Sequence, residues 1–350
     1  MKHYNIPVFI AHFGCPNKCV FCNQNKITGK ETNIEPKEVK GIIEEYLYTL
    51  PSSSEKELAF FGGTFTAISL PLQREFLAVG KEYIDKGLIK GIRLSTRPDN
   101  IDENIVKNLK DYGVTSVELG VQSLVSEVLV LSERGYEKEE VERAVKLLKA
   151  SNIEVGIQIM PGLPGSSFEN DLWTVDEVIK MKPDFSRVYP TLVINDTKLE
   201  KMYRDKEFEP LSLEKAVNLC SIIIAKLELA EIKIIRVGLQ PSDDLREEGV
   251  IIAGPFHPAF RELCEGNFYK LFFEEKLKTC EKIVVEVSNR EVSRVCGIKS
   301  SNRKFFGQKL EILVKEDLEK EIFIINNEKF GRIDLLKNIL RVVLNETNNN

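Results

Sequence analysis

Across the first two thirds of the chain, short runs rich in β-branched and aromatic residues alternate with longer amphipathic stretches. The short runs fall at 6–12, 57–61, 91–96, 116–121, 153–160, 185–190 and 232–239, each followed by a loop of small or polar residues. Their length and composition predict strands. Between them, 36–50, 71–87, 102–111, 138–150, 167–181 and 212–231 place apolar residues three or four apart with charges on the other face, which predicts helices. This alternation predicts βα units on a parallel sheet, hence an α/β protein. Residues with chemical potential sit where successive strands end. That favours a partial or complete (β/α) barrel, whose chemistry collects on one rim, over an open doubly wound sheet. No G-x-G-x-x-G follows the first strand, and the loop Gly162-Leu163-Pro164-Gly165 is too short and proline-bound to replace it, so a dinucleotide site has no support.

From about residue 266 the pattern changes to a helix-like 268–280, strand-like 282–287, a basic connecting segment, and strand-like 310–314 and 321–325. The expected organisation is a barrel domain at 1–265, a small α+β module at 266–344 and a polar tail at 345–350. A length of 350 residues suits one large domain with an appendage. The amino terminus shows no apolar segment with a cleavage site, and no stretch approaches the roughly 20 apolar residues of a membrane helix, so a cytoplasmic protein without membrane contact is expected. In that compartment closely spaced thiols among the seven cysteines are metal ligands or catalytic groups rather than disulfides. A net charge of −5 excludes a strongly basic nucleic-acid-binding surface, leaving only local contact with RNA.

Cys15, Cys19 and Cys22 lie in the loop after the first strand, with Gly14 and Pro16 shaping the turn. Three thiolates so close can bind three irons of one cuboidal cluster and leave the fourth iron open to a substrate. The alternative is zinc, completed by His12 or a distant cysteine. After the second strand, Gly62-Gly63-Thr64 would let a ligand approach the backbone, although a Gly-Gly turn is also a common structural device.

The C-x3-C-x2-C spacing, with Phe21 before the last cysteine, resembles the radical S-adenosylmethionine (SAM) superfamily. The resemblance implies a 4Fe-4S cluster whose open iron binds SAM, and one-electron cleavage of SAM to methionine and a 5′-deoxyadenosyl radical. Gly62 and Gly63 match that superfamily's motif for the SAM amino group, with Thr64 where an acidic residue is more usual. Further motifs at 94–99, 117–123, 134–136, 156–165, 187–194 and 236–240 occur in the order seen in the radical SAM domain of the Elongator catalytic subunit family, so residues 6–245 resemble that domain. By that resemblance Ser95, Thr96 and Arg97 approach the ribose or carboxylate of SAM, and Gln122 and Ser123 lie beside its sugar and base. Met160 is either a wall against the adenine or core packing. Arg97 and Glu118 are alternatively one structural ion pair, and Gln122 a satisfier of buried backbone.

Arg187 and Tyr189 alternate on the sixth strand and so share a face, where they could orient an anionic substrate or pass a proton or hydrogen atom; structural hydrogen bonds are the alternative. Two departures from the Elongator pattern stand out. The cysteine spacing is the compact superfamily form, and the sequence ends where that family continues into an acetyltransferase-like domain. Carboxymethylation of a wobble uridine is therefore not an expectation that travels with the fold.

Residues 283–314 read strand, short helix, turn, short helix, strand, which resembles the core of a KH module with Gly297-Ile298-Lys299-Ser300 at the backbone-clamping loop, its second glycine missing. Arg290, Arg294, Lys299, Arg303, Lys304 and Lys309 outweigh Glu291 here, a patch that could neutralise phosphates or simply be a solvated face. Cys264, Cys280 and Cys296 have no ligand spacing and read as incidental thiols; His257 is a candidate substrate contact or a turn residue. The expectation is a radical SAM enzyme modifying a transfer RNA base, reduced by a protein such as flavodoxin or ferredoxin. The alternatives are the same radical acting on a small metabolite, and an RNA-binding or regulatory protein with a structural or redox-sensing cluster.

Overall fold

The computed structural model describes residues 2–16, 18–24, 26, 34–239, 247 and 249–347. Two compact units emerge: Met1–Pro210 with Gln240–Gly254, and Leu211–Leu239 with Pro255–Asn350.

In the first unit, β1 (His3–Phe9), β2 (Glu55–Phe61), β3 (Gly91–Thr96), β4 (Val114–Gln122), β5 (Glu154–Ile159) and β6 (Phe185–Val188) pair in parallel and in sequence order. Among the described residues β1 pairs with β2 alone, so the barrel is partial. Helices α1 (Pro36–Thr49), α2 (Leu70–Asp85), α3 (Glu103–Asp111), α4 (Ser126–Leu131), α5 (Lys138–Ala150), α6 (Phe168–Met181) and α7 (Lys198–Arg204) fill the connections. Local signals start several of them. The Asp102 carboxylate accepts from Ile105 N and the Ser167 hydroxyl from Asn170 N, while Glu35 and Glu38 form a capping box at α1. The apolar stripe of each helix turns inward: Val141, Ala144, Val145 and Leu148 of α5 are buried, as the spacing predicts. The six predicted strands and five predicted helices of this unit are all present. The short α4 and α7 were not legible, because six or seven residues carry too little periodicity to separate them from loop.

Two features bring the strand ends together. At the end of β2, Phe60, Phe65 and Phe76 pack with ring centroids 4.9–6.3 Å apart, anchoring the glycine loop to the core. At the end of β4 the ladder to β5 shifts register between Gly120 and Gln122, and Gln122 takes φ +68°, a left-handed conformation uncommon outside glycine.

The second unit holds α8 (Leu213–Leu229), β7 (Lys233–Val237), α9 (Phe260–Lys276), β8 (Ile283–Val287), α10 (Val292–Cys296), α11 (Ser301–Phe306), β9 (Leu310–Val314), β10 (Ile322–Ile325), β11 (Glu328–Gly331) and α12 (Arg332–Thr347). Helix α9 runs through the boundary expected between 265 and 266, and begins eight residues before the helix expected at 268. Its aromatic face, Phe268, Tyr269, Phe272 and Phe273, is buried in one core with Phe323. Arg332 ties α12 to α8 and α9 by paired contacts of 2.7–3.0 Å to both Glu228 and Glu265. The strand–helix–helix–strand order expected of residues 283–314 is observed, with β8 and β9 parallel neighbours and β10 antiparallel on the other edge of β8. Of the expected tail, residues 345–347 belong to α12, and 348–350 lie outside the described residues, as does Gln240.

Candidate metal centre

The cysteine loop is fastened to the sheet by backbone. His12 N donates to Gly62 O at 2.9 Å and Thr64 N to Phe13 O at 2.9 Å. A Cβ on Gly63 would lie 2.5 Å from both Ile10 O and Phe13 O, and one on Gly14, at φ +74°, 2.3 Å from Thr64 O. Backbone cannot yield to such contacts, so glycine at both places lets the two loops touch. The Gly62-Gly63 pair thus has a visible structural task at the cysteine loop. Past Cys15, Val20 N donates to Ser132 O and Leu199 N to Val20 O, and Phe21 is buried with Val20, Val128, Leu163, Val193 and Leu199. Phe21 therefore packs the loop against its support.

The three thiols meet different surroundings. Cys15 Sγ lies 3.3 Å from the Thr64 hydroxyl. Cys19, almost fully buried, accepts from Arg134 Nη1 at 2.9 Å, with Arg97 Nη1 at 3.9 Å. Cys22 Sγ accepts from Gln24 Nε2 at 3.4 Å, and burial followed by the nearby Cys19 pushes its thiol up to about 12. Among the described residues no three His, Cys, Asp or Glu side chains converge as ligands of one ion. A cuboidal cluster asks for a different arrangement, one thiolate at each of three irons. His12, the candidate fourth zinc ligand, uses Nε2 to accept from Gln24 N at 2.8 Å. The donor set is thus three sulfurs with a buried guanidinium beside one of them, which suits a cluster carrying negative charge.

Arg134 is the centre of a network that no single sequence motif revealed. Besides Cys19 it donates to the Tyr136 hydroxyl at 2.9–3.0 Å and also to Gly120 O, and Tyr136 OH in turn lies 2.9 Å from Gly120 O and 2.8 Å from Val121 O. Burial holds the Tyr136 phenol above its usual range, so at neutral pH it is uncharged. Arg134 thus brings its positive charge to the Cys19 sulfur. Arg97 joins by donating to Arg134 O and by a fork to Asp99 at 2.8 and 3.0 Å. The expected alternative, an Arg97–Glu118 pair, is not what forms. Glu118 instead faces Arg187, whose Nε is 2.8 Å from Glu118 Oε2 in a close ion pair without hydrogen-bond geometry.

The remaining candidate residues are placed as follows. Thr96 Oγ1 is 2.6 Å from Thr66 Oγ1, and Ser123 Oγ accepts from Val125 N at 3.2 Å, so both hydroxyls hold the strand ends in shape. Ser95 is half-buried. Gln122 Oε1 accepts from Gln158 Nε2 at 3.1 Å, and Met160, half-buried, lies against the same cluster as Cys22. Arg187 Nη1 donates to Tyr189 OH at 2.9 Å, so these two do share a face, in a chain Glu118–Arg187–Tyr189 across the sheet.

After β5 the loop bearing Gly162 is held by Asp171, which accepts from Gly162 N at 2.9 Å and from the Ser166 hydroxyl at 2.5 Å. Burial pushes its carboxyl up to about 6, with Ser166 and Gly162 partly opposing. The folded state therefore binds this proton more tightly than the unfolded chain, near 3.9. Stability from this group is full below about pH 4 and falls by roughly 3 kcal/mol as pH rises towards 6. Asp171→Asn should remove that slope, so its stability relative to the wild type rises between pH 4 and 7 in paired denaturation curves; a flat difference would refute the assignment.

Two family descriptions match this chain: Radical SAM superfamily over residues 9–178, and Radical_SAM C-terminal domain over 183–270. The first contains all three cysteines and the Arg97–Arg134 network. The chain belongs to the radical SAM superfamily. It is a radical SAM enzyme, and its cofactors are that superfamily's 4Fe-4S cluster and SAM. Among curated proteins it is similar to a tRNA uridine(34) acetyltransferase of Methanocaldococcus infernus, 31% identical over 256 residues, covering 62% of this chain and 48% of that protein. It is also similar to human Elongator complex protein 3, 27% identical over 248 residues, covering 60% and 45%. Among solved structures, archaeal Methanocaldococcus infernus Elp3 with an N-terminal deletion aligns with a TM-score of 0.61 at 26% identity, covering 83% of this chain and 67% of that one. The chain spans about half the length of the curated relatives it matches. No described helix is long and apolar enough to cross a membrane.

Proposed function

We propose that this radical SAM enzyme modifies a base of transfer RNA in the cytoplasm, drawing its electron from a small reductant protein such as a flavodoxin or ferredoxin. The observation that carries the RNA substrate is the likeness to relatives named for a tRNA uridine, which covers 62% of this chain. When bound, the cluster and SAM supply reductive cleavage of SAM and a carbon-centred radical. The chain's own residues do the rest. Cys15, Cys19 and Cys22 are the cluster ligands, with Thr64 and Arg134 offering hydrogen bonds to two of the sulfurs. Gly62, Gly63, Ser95, Arg97, Gln122 and Met160 border the space for SAM, while Phe21, Thr96 and Ser123 fix the loops that carry them.

Arg187 and Tyr189 would face the substrate. Arg187 is charged at neutral pH and donates to the Tyr189 oxygen, which fixes where that phenol sits on the shared face. The test is a comparison of modified nucleosides in transfer RNA from cells with and without the gene. One nucleoside should disappear and return with the wild-type gene but not with Cys19→Ala. An unchanged nucleoside profile would reject the RNA substrate.

A further inference from the structure

The second unit carries an exposed aromatic ring that its core does not use. Phe305 on α11 is 60% exposed, whereas its neighbour Phe306 is buried and packs edge-on against Phe273. The Phe305 ring stands at 86° to Phe306, with centroids 4.9 Å apart, and Lys270 of α9 sits 4.6 Å from its centroid. Beside it opens a cleft of about 420 Å³ lined by Glu274, Leu277, Lys278, Phe305, Phe306 and Lys309. That volume lies within the usual range of small-ligand sites, roughly 300–1,000 Å³.

The charges around this ring are uneven. Arg303, Lys304 and Lys309 are exposed, and among the described residues none of the three forms an ion pair. Lys278 pairs with Glu275 at 2.7 Å and Lys270 reaches Glu274 at 4.0 Å, so each acidic side chain is matched by a lysine three or four residues away. The surface left over is cationic with one protruding ring. A folded core has no use for a ring held in water next to unneutralised cations. Single-stranded nucleic acid fits both features, since a base stacks on the ring while its phosphates meet the cations.

We infer that Phe305 is a stacking platform for an unpaired base of an RNA substrate, flanked by Arg303, Lys304 and Lys309 as phosphate contacts. The inference rests on the transfer RNA reading above and adds where the RNA is gripped. It also moves the contact away from the Gly297–Ser300 turn. There Gly297 packs against Ser301 and Asn302, and Lys299 and Ser300 both take positive φ.

The test measures binding of unfractionated transfer RNA to the full chain across a salt series. Phe305→Ala removes a mainly solvent-exposed side chain and should weaken binding about 5- to 100-fold, with the dependence on salt unchanged because no charge is lost. Phe305→Trp, made together with Trp173→Phe because the chain has one tryptophan, should keep the affinity and show quenched indole emission on adding RNA. Salt-sensitive binding by the wild type with an unaffected Phe305→Ala variant and an unquenched indole would overturn the platform while leaving the RNA substrate standing. Absence of any wild-type binding at low salt would overturn both.

Discussion

Arg134→Ala should lose about 3–5 kcal/mol of folding stability and, once loaded with a cluster, show a more negative reduction potential than the wild type. The stability loss follows from what the guanidinium holds. It bridges the cysteine loop through Cys19, the end of β4 through Gly120 O and its own turn through Tyr136, all with almost no solvent contact. Removing one member of such a buried set leaves the others desolvated and unmatched, which is where losses of that size arise. The shift in potential follows from charge. A hydrogen bond and a positive charge at a ligating sulfur favour the reduced, more negative state of a cluster, so their removal disfavours it. Arg134→Lys separates the two effects, because it keeps a charge but cannot donate to Cys19, Gly120 and Tyr136 in one plane. A potentiometric titration followed by electron paramagnetic resonance reads the second effect directly. A potential equal to the wild type in Arg134→Ala would show that the contact with Cys19 is lost when the cluster is bound.

The barrel was legible because its evidence is repetitive. Strands such as 57–61 and helices such as 138–150 each declare themselves by period, and their alternation confirms each one. The candidate metal ligands stood out for a different reason: three cysteines in eight residues have few other expected uses where thiols stay reduced. What could not be read was partnership. Arg134 and Tyr136 were visible as a motif with no task, since the residue that gives them one, Cys19, is 115 positions away from Arg134. Arg97 and Glu118, placed on adjacent strands, looked like partners, yet a nearer carboxylate at Asp99 and a nearer guanidinium at Arg187 separate them. Phe21 reads as a cofactor neighbour from its place beside Cys22, and its packing in the hydrophobic cluster that holds the loop was equally invisible in the sequence.

The boundary of the second unit illustrates the same limit. A change of pattern at 266 marks where βα repetition stops, not where packing changes. Helix α8 reads as one more barrel helix, yet it packs in one unit with α9 and α12, and the Glu228–Arg332 pair spans 104 residues. Exposure was equally hidden, because Phe305 and Phe306 are adjacent and identical in type, and only the fold decides which of them enters the core.

Cys19→Ala has the largest expected effect on activity, because it removes one of the three proposed iron ligands and the sulfur opposite Arg134 at a stroke. A cluster held by two sulfurs is poorly retained, so iron content and SAM cleavage should fall together, whereas Cys264→Ala and Cys296→Ala, outside the first unit, should leave both intact. The decisive measurement is anaerobic reconstitution of the full chain with iron and sulfide, followed by reduction in the presence of SAM and quantification of 5′-deoxyadenosine. The wild type should bind a cluster, bind SAM and release 5′-deoxyadenosine with methionine in equal amounts, and Cys19→Ala should release none. A fully loaded, reduced wild-type cluster that neither binds SAM nor yields 5′-deoxyadenosine would contradict the assignment of Cys15, Cys19 and Cys22 as the ligands of a SAM-cleaving centre.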